Sequence, residues 1–287
     1  MNAAPAQPPA AACMSSRRRR SAGSAGHRRR GITLAETLVA LAVLGILLGL
    51  ALPVLGRITA AGRSAQCASN LRQMIAAAAT YATQNGDRYP PAILYVVVQG
   101  GVETRAWDWI QAPGGVIRPG PLWAYVGDPD RVQQCPEFHG ASTFAGDPHT
   151  GYQYNTTYLG TEGFLPSMGS DGAWIDGWAN ARPGLPTMQH RRTAETAVFA
   201  DGGWKNGANK FMRAPSNQVE NDLAMVYAGG QAFRHSGSCN VAWLDGHCAC
   251  ATTPREGMHA TPQLLESIMG WPRNGFLSED DAAFDPR

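Results

Sequence analysis

The arrangement of apolar and polar positions changes sharply near residue 31. Residues 1–30 consist mainly of Ala, Pro, Ser and Gly with runs of Arg, a composition that cannot bury a core and predicts disorder. Residues 32–54 are apolar throughout, with Glu36 as their single charge. A helix of that length extends roughly 34 Å, enough to cross the hydrocarbon core of a bilayer. The pattern therefore predicts a membrane-spanning helix directly after a basic, unstructured segment.

A one-sided apolar pattern continues beyond the membrane segment. Apolar residues recur every three or four positions, as on one face of a helix, at Leu71, Met74, Ile75, Ala78, Ala79 and Ala82. The turn-forming residues Asn85, Gly86 and Asp87 then end the pattern. We expect a single helix from about residue 33 to residue 84, apolar all round in its inner half and amphipathic in its outer half.

The remainder of the chain is rich in Gly, Pro and Trp and contains short apolar runs typical of strands. These runs lie at 92–99, 196–200, 240–244 and 247–251. Asp245 and Gly246 separate the last two and predict a hairpin with a two-residue loop. Residues 100–190 read as long loops with short elements. The predicted fold is α+β, a long N-terminal helix packed on a small antiparallel β-sheet with long loops.

Charge is distributed unevenly between the two ends of the chain. The sequence has 24 basic and 22 acidic side chains, but residues 1–31 hold seven Arg and no acid. The rest is therefore acidic, with a net charge of −5, which gives no reason to expect nucleic acid as a partner. Arginines before an apolar segment predict a cytoplasmic N-terminus and an exported C-terminal body.

Several kinds of N-terminal signal fit an apolar run behind arginines. A secretory signal has a shorter apolar region and a small-residue cleavage site, a twin-arginine signal would use Arg29 and Arg30, and a plain anchor would stay uncut. None of these accounts for Glu36, since a carboxylate in a membrane helix costs a few kcal/mol without a partner. Cleavage between Gly31 and Ile32 would create a free amine able to neutralise the Glu36 of a neighbouring subunit.

The residues from Gly31 to Glu36, followed by the apolar helix, resemble the class III signal of type IV pilins and type II secretion pseudopilins. The resemblance implies that a prepilin peptidase cuts after Gly31 and N-methylates Ile32, and Pro53 matches a common pilin helix kink. It implies a single-pass inner-membrane protein that an assembly platform moves into a fibre with other pilin-like subunits. The alternative is an exported binding protein (for glycan or metal) or enzyme that uses the helix only as a tether.

The resemblance divides the chain into four parts. These are a cleaved leader, a transmembrane half of the helix, an outer amphipathic half and an exported globular domain, with bounds 1–31, 32–54, 55–86 and 87–287. His235 followed by Asp245 and Gly246 resembles the H-x9-DG signature of one branch of prepilin-type proteins. No common catalytic motif occurs in a suitable context, so a structural subunit is favoured over an enzyme.

Four side chains of the exported domain are candidate metal ligands or catalytic groups: Asp201, His235, Asp245 and His247. Histidine with carboxylates suits zinc, whereas Asp beside Gly-rich turns suits Ca²⁺. Resemblance to major pseudopilins, which bind calcium in a C-terminal loop, favours Ca²⁺ as the possible cofactor. The alternative is that these residues only shape turns, since Asp before Gly commonly does so.

Five cysteines remain once Cys13 leaves with the leader. Export permits disulfides, and Cys67 with Cys135 would join the helix to the sheet domain. The predicted two-residue loop places Cys239, Cys248 and Cys250 on one face of the hairpin, so Cys239 and Cys250 are a second candidate pair. Zinc held by these three thiols and His247 is the alternative, and inert buried thiols are another.

Overall fold

The structure is a computed structural model that describes most of the chain after the leader. The described residues are 31–142, 151–163, 167–175, 182–205, 207–218 and 229–287. The predicted disorder of residues 1–30 therefore falls outside them. The chain divides into two units, Met1–Ala51 and Leu52–Arg287.

The first helix, α1, spans Leu34–Gln84 and confirms the predicted single helix. Its start is a capping box, in which the Thr33 N–H donates to Glu36 Oε2 at 2.8 Å and the Glu36 N–H donates to Thr33 Oγ1 at 3.3 Å. Its end is set by Gly86, whose φ of +65° lets the chain leave the helix in the left-handed conformation. Pro53 lies inside the helix, where it removes one backbone N–H donor.

The outer part of α1 buries one face. Leu71, Met74 and Ala78 of the predicted stripe are fully buried. Ala79 is exposed instead, and Ala77 is buried. The buried face is thus rotated slightly from the predicted one, because packing is centred on the side of the helix that carries Met74.

Fifteen strands occur among the described residues, most of them short. In chain order they are β1 Ile93–Val98, β2 Gly101–Ala106, β3 Trp109–Gln111, β4 Ile117–Pro119, β5 Ala141–Ser142, β6 Tyr152–Asn155, β7 Ser167–Met168, β8 Trp174–Ile175, β9 Ala197–Asp201, β10 Gly207–Ala208, β11 Phe211–Met212, β12 Gln231–Ala232, β13 Cys239–Trp243, β14 Cys248–Ala251 and β15 Asn274–Gly275. A second short α-helix, α2, spans Pro129–Val132, and a π-helix spans Gln263–Met269. Short 3₁₀ helices span Pro121–Tyr125, Thr187–Gln189, Pro215–Gln218 and Asp281–Ala283.

Two sheets account for most of the strand pairing in the part of the chain that is described. Strands β1 to β4 form an antiparallel sheet in sequential order. The strand β1 was predicted, whereas β2 to β4 lie in a region where the sequence predicted mainly loops. The central sheet has the order β11-β6-β9-β13-β14. All its pairs are antiparallel except that of β11 with β6, which is parallel. The fold is α+β as predicted, with a mixed rather than purely antiparallel central sheet.

The central sheet separates two apolar clusters. On one face, α1 contributes Leu71 and Met74, which join Tyr154 and Phe199 of the sheet in one cluster. The other cluster contains Val241 of β13 together with C-terminal residues that include Leu264, Phe276 and Phe284. Along β13, Val241 belongs to one cluster and Ala242 to the other, as expected when successive side chains point to opposite faces.

The hairpin between β13 and β14 differs from its prediction by one residue. The loop has three residues, since Trp243 N–H bonds to His247 O and Gly246 N–H bonds back to Trp243 O. Gly246 takes a φ of +95°, as expected for the last loop position of such a hairpin. The register pairs Asn240 with Cys250, so the prediction that Cys250 shares a face with Cys239 is wrong.

Candidate functional sites

The first candidate site is the N-terminal stem, defined as residues 32–54. Its large apolar side chains are all exposed, by 49% to 79%. Within the described residues the stem belongs to the only helix long and apolar enough to cross a membrane. A continuous apolar surface of this extent is costly in water. It therefore needs lipid or other apolar helices around it.

The predicted cleavage point lies just before the helix. Gly31 and Ile32 precede the first helical residue, and Ile32 is largely exposed. A Cβ added to Gly31 would meet no atom of the chain within 4 Å, and no positive φ is required there. The fold itself therefore gives no reason for glycine at this position, and any requirement for it must come from another molecule.

Glu36 has a defined local role within the chain. Its Oε2 accepts hydrogen bonds from the Thr33 N–H at 2.8 Å and from Thr33 Oγ1 at 2.9 Å. These bonds satisfy a backbone donor at the helix N-terminus. The carboxylate is thus held at the start of the stem, beside the point where a free amine would follow cleavage.

The second candidate site is a buried cluster in the unit Leu52–Arg287, made of Cys67, Cys135, Asp201 and His235. One sulfur, nitrogen or oxygen atom from each residue lies within 4.8 Å of those of the other three. Each residue is at most 5% exposed. The cluster is the only group of at least three such residues found in the described part of the chain.

Four separate elements position the members of this buried cluster. Cys67 lies on the buried face of α1, Cys135 follows α2, and Asp201 is the last residue of β9. His235 occupies a tight turn in which it exchanges backbone hydrogen bonds with Ser238, both of 3.0 Å. The central sheet and the helix therefore meet at this point, and the cluster lies where they pack.

The contacts within the cluster are direct. Cys67 Sγ donates to Asp201 Oδ1 at 3.1 Å, and Cys135 Sγ lies 3.5 Å from His235 Nε2. His235 Nε2 is also 3.2 Å from Asp201 Oδ2. The backbone N–H of Asn240 donates to the same Oδ2 at 2.8 Å and orients the carboxylate.

Burial and mutual contacts perturb the acidities of the cluster. Burial favours the neutral carboxyl of Asp201, but the hydrogen bond from His235 and the charge of Arg234 outweigh it and hold the pKa of Asp201 below its usual value. Burial opposes charge on His235 as well, yet its bonds to Asp201 and Cys135 raise its pKa to about 9. Hydrogen bonding from Cys67 lowers the pKa of Cys135 to about 6, while burial raises that of Cys67. The site therefore favours anionic Asp201 and Cys135 beside a cationic His235, with Cys67 as a neutral thiol.

This arrangement differs from a cysteine–histidine–aspartate catalytic triad. In a triad the nucleophile and the orienting acid contact opposite nitrogens of the imidazole. Here Cys135 and Asp201 both approach His235 Nε2, and His235 Nδ1 has no hydrogen-bond partner among the described residues. Because the cluster is also buried, the geometry suits a small enclosed ion rather than a substrate.

The four ligands predicted from the sequence do not converge, which corrects that prediction. Asp201 and His235 meet in the buried cluster, but Asp245 and His247 form a separate exposed pair, with His247 Nδ1 2.6 Å from Asp245 Oδ1. The physical reason is the length of β13. Asp201 bonds to Asn240 near the start of that strand, whereas Asp245 follows its end. Asp245 also accepts the backbone N–H of His247 at 3.0 Å, so it shapes the turn.

Sequence reasoning paired Cys67 with Cys135 but did not connect either to Asp201 or His235. No local spacing could have done so, because four distant segments supply the four residues. All five described cysteines are free thiols in the structure. The proposed zinc site on Cys239, Cys248 and Cys250 loses its basis, since Cys239 lies on the opposite face of the hairpin.

Comparison with known proteins bears on the N-terminal segment. A family model described as "Prokaryotic N-terminal methylation motif" matches residues 26–52. The N-terminus of this chain is pilin-like. The match includes the predicted cleavage point and most of the stem, and together with the apolar helix it supports a membrane-anchored subunit. No curated protein and no solved structure matches the chain.

Proposed function

We propose that the chain is a prepilin-like structural subunit of a type IV pilus or a type II secretion pseudopilus. The observation that carries this proposal is the coincidence of a methylation motif with an exposed apolar stem that begins at residue 32. An apolar stem needs either lipid or neighbouring stems, and a fibre subunit uses both in succession.

The proposed sequence of events follows from the order of residues along the chain. The arginines of the leader keep the N-terminus in the cytoplasm, and the stem holds the precursor in the inner membrane with its exported domain on the far side. A prepilin peptidase cuts after Gly31 and methylates the new amine of Ile32. An inner-membrane assembly platform then moves the subunit into the fibre, where it packs against other pilin-like subunits.

Glu36 provides the specificity of the packing step in this proposal. Its bonds to Thr33 involve Oε2, and Oε1 is the oxygen that a neighbour's terminal amine would approach. In an apolar bundle an unpaired carboxylate is costly, whereas a paired one fixes the register between stems. The charge pair would thus set the position of each incoming subunit rather than add much stability.

Because Glu36 also caps its own helix, the test must separate the cap from the charge. Glu36→Gln keeps an acceptor suitable for a capping box and removes the charge. We expect this variant to be inserted and cleaved normally but to fail in fibre assembly or secretion. Thr33→Val is the matched control, since it removes the Oγ1 contacts and keeps the charge, and it should assemble.

Electron microscopy of sheared fibres, or a secretion assay, measures the outcome, and immunoblotting of membranes confirms equal amounts of processed subunit. Normal assembly of Glu36→Gln would contradict the proposed charge pairing. Loss of assembly in Thr33→Val as well would assign the effect to the helix cap instead.

A further inference from the structure

We propose that Cys67, Cys135, Asp201 and His235 bind one structural Zn²⁺ ion. This inference concerns the exported unit and does not rest on the proposed assembly into a fibre. It replaces the ligand set predicted from the sequence with the set that the fold brings together.

The spacing of the cluster fits a tetrahedral zinc site. With metal–ligand distances of about 2.0–2.3 Å, neighbouring ligand atoms of a tetrahedron lie about 3.3–3.8 Å apart. Three separations are close to that range: 3.1 Å for Cys67 Sγ to Asp201 Oδ1, 3.2 Å for Asp201 Oδ2 to His235 Nε2, and 3.5 Å for Cys135 Sγ to His235 Nε2. One ligand atom from each residue lies within 4.8 Å of those of the other three. Shifts of up to about 1 Å would therefore bring all four ligand atoms into one tetrahedral shell.

The chemistry of the four donors selects zinc among common metal ions. Thiolate, imidazole and carboxylate are all zinc ligand types, and four of them make the coordination number of a structural zinc site. Ca²⁺ and Mg²⁺ require mainly oxygen ligands and a larger coordination number. Since the four residues are buried, the shell is closed to substrate, as in structural rather than catalytic zinc sites.

Charge around the cluster is matched to a bound dication. Two thiolates and the Asp201 carboxylate carry three negative charges, so the zinc complex has a net charge of −1. The guanidinium of Arg234 acts electrostatically on Asp201 and is itself held by the backbone oxygens of Gly151 and Gly202. It supplies the compensating positive charge. The Asn240 N–H bond to Asp201 adds an outer-shell contact of the kind that orients metal ligands.

Zinc would replace weak hydrogen bonds among the ligands with four coordinate bonds and release the protons that the ligand atoms carry. Zinc binding would link separate elements of the fold as well as stabilise it. The ligands come from α1, the segment after α2, the end of β9 and the turn before β13, so one ion would fasten the outer helix to the central sheet.

The most direct competing chemistry is a disulfide between Cys67 and Cys135, which would exclude zinc. Elemental analysis of the full-length protein, purified in detergent without chelator, should give one zinc per chain. Co²⁺ exchanged into the wild-type protein should show tetrahedral d–d bands and thiolate-to-cobalt charge transfer. Absence of both zinc and these bands would overturn the proposal, as would a native mass lower by two hydrogen atoms with a Cys67–Cys135 linked peptide.

Substitutions of single residues test which side chains bind the zinc. Cys135→Ser and His235→Ala should each lose most of the bound zinc, while Cys248→Ser, a cysteine outside the cluster, should retain one ion per chain. If the cluster variants fail to fold, the thermal stability of the wild-type protein still tests the proposal. A strong chelator should lower its melting temperature and added zinc should restore it, and an unchanged melting curve would overturn the proposal.

Discussion

Leu71 tests whether the outer part of α1 belongs to the core of the C-terminal unit, Leu52–Arg287. The residue is fully buried and lies in the same apolar cluster as Met74, Tyr154 and Phe199. Replacing a buried leucine by alanine removes apolar contact and leaves a cavity, at a cost of about 2–5 kcal/mol. For a domain of this size each kcal/mol lowers the melting temperature by roughly 2–4 °C. We therefore expect Leu71→Ala to lower it by roughly 4–20 °C.

Leu48→Ala is the matched control, because the same substitution is made on the same helix at a side chain that is 60% exposed. It should change the stability of the C-terminal unit by no more than about 0.5 kcal/mol. Tryptophan fluorescence during thermal unfolding in detergent measures both variants under one condition. Equal melting temperatures for Leu71→Ala and the wild-type protein would refute the assignment of this helix face to the core.

Two further predictions concern the buried Lys210–Asp108 ion pair and the β13–β14 hairpin. Lys210→Met should destabilise the domain by about 3–5 kcal/mol because it removes the ammonium that faces the buried Asp108 carboxylate, and adding Asp108→Leu should recover most of that loss in denaturant unfolding. Burial lowers the pKa of Lys210 from 10.5 to about 8 despite Asp108, so the unfolded chain binds the lysine proton more tightly than the folded one. The stability of the wild-type protein should therefore rise between pH 8 and 10.5 relative to that of Lys210→Met. Parallel curves of stability against pH for the two proteins would contradict this. Gly246→Ala should lower the stability by roughly 1–2 kcal/mol, because Gly246 has a φ of +95°. Gly127→Ala is the control and should not lower it, because Gly127 lies at an open position without a positive φ. Equal melting curves for the two variants would argue against the three-residue loop.

Local patterns were sufficient to predict the helix and some of the strands, whereas β2 to β4 and β6 lie where long loops were predicted. Spacing of apolar residues and the turn residues after Gln84 defined α1 to within a residue of its observed bounds. Runs of β-branched and aromatic residues located β1, β9 and β13. These features depend on neighbours in sequence, which is why periodicity reports them.

The pairing register of the β13–β14 hairpin and the convergence of the buried cluster could not be predicted from local patterns. Asp245 and Gly246 predicted a turn, but whether the loop has two or three residues depends on which backbone groups pair across it, and one residue moves Cys239 to the other face. The buried cluster has the same limitation on a larger scale. Its members Cys67, Cys135, Asp201 and His235 are brought together by tertiary packing, for which the sequence carries no spacing signal.

Prepilin-type processing can be tested by mass spectrometry of the N-terminal peptide of protein extracted from membranes. We expect a mature chain that begins with N-methylated Ile32 and lacks every residue up to Gly31. A mature protein that retains the arginine-rich segment, or that begins elsewhere with an unmethylated amine, would contradict it.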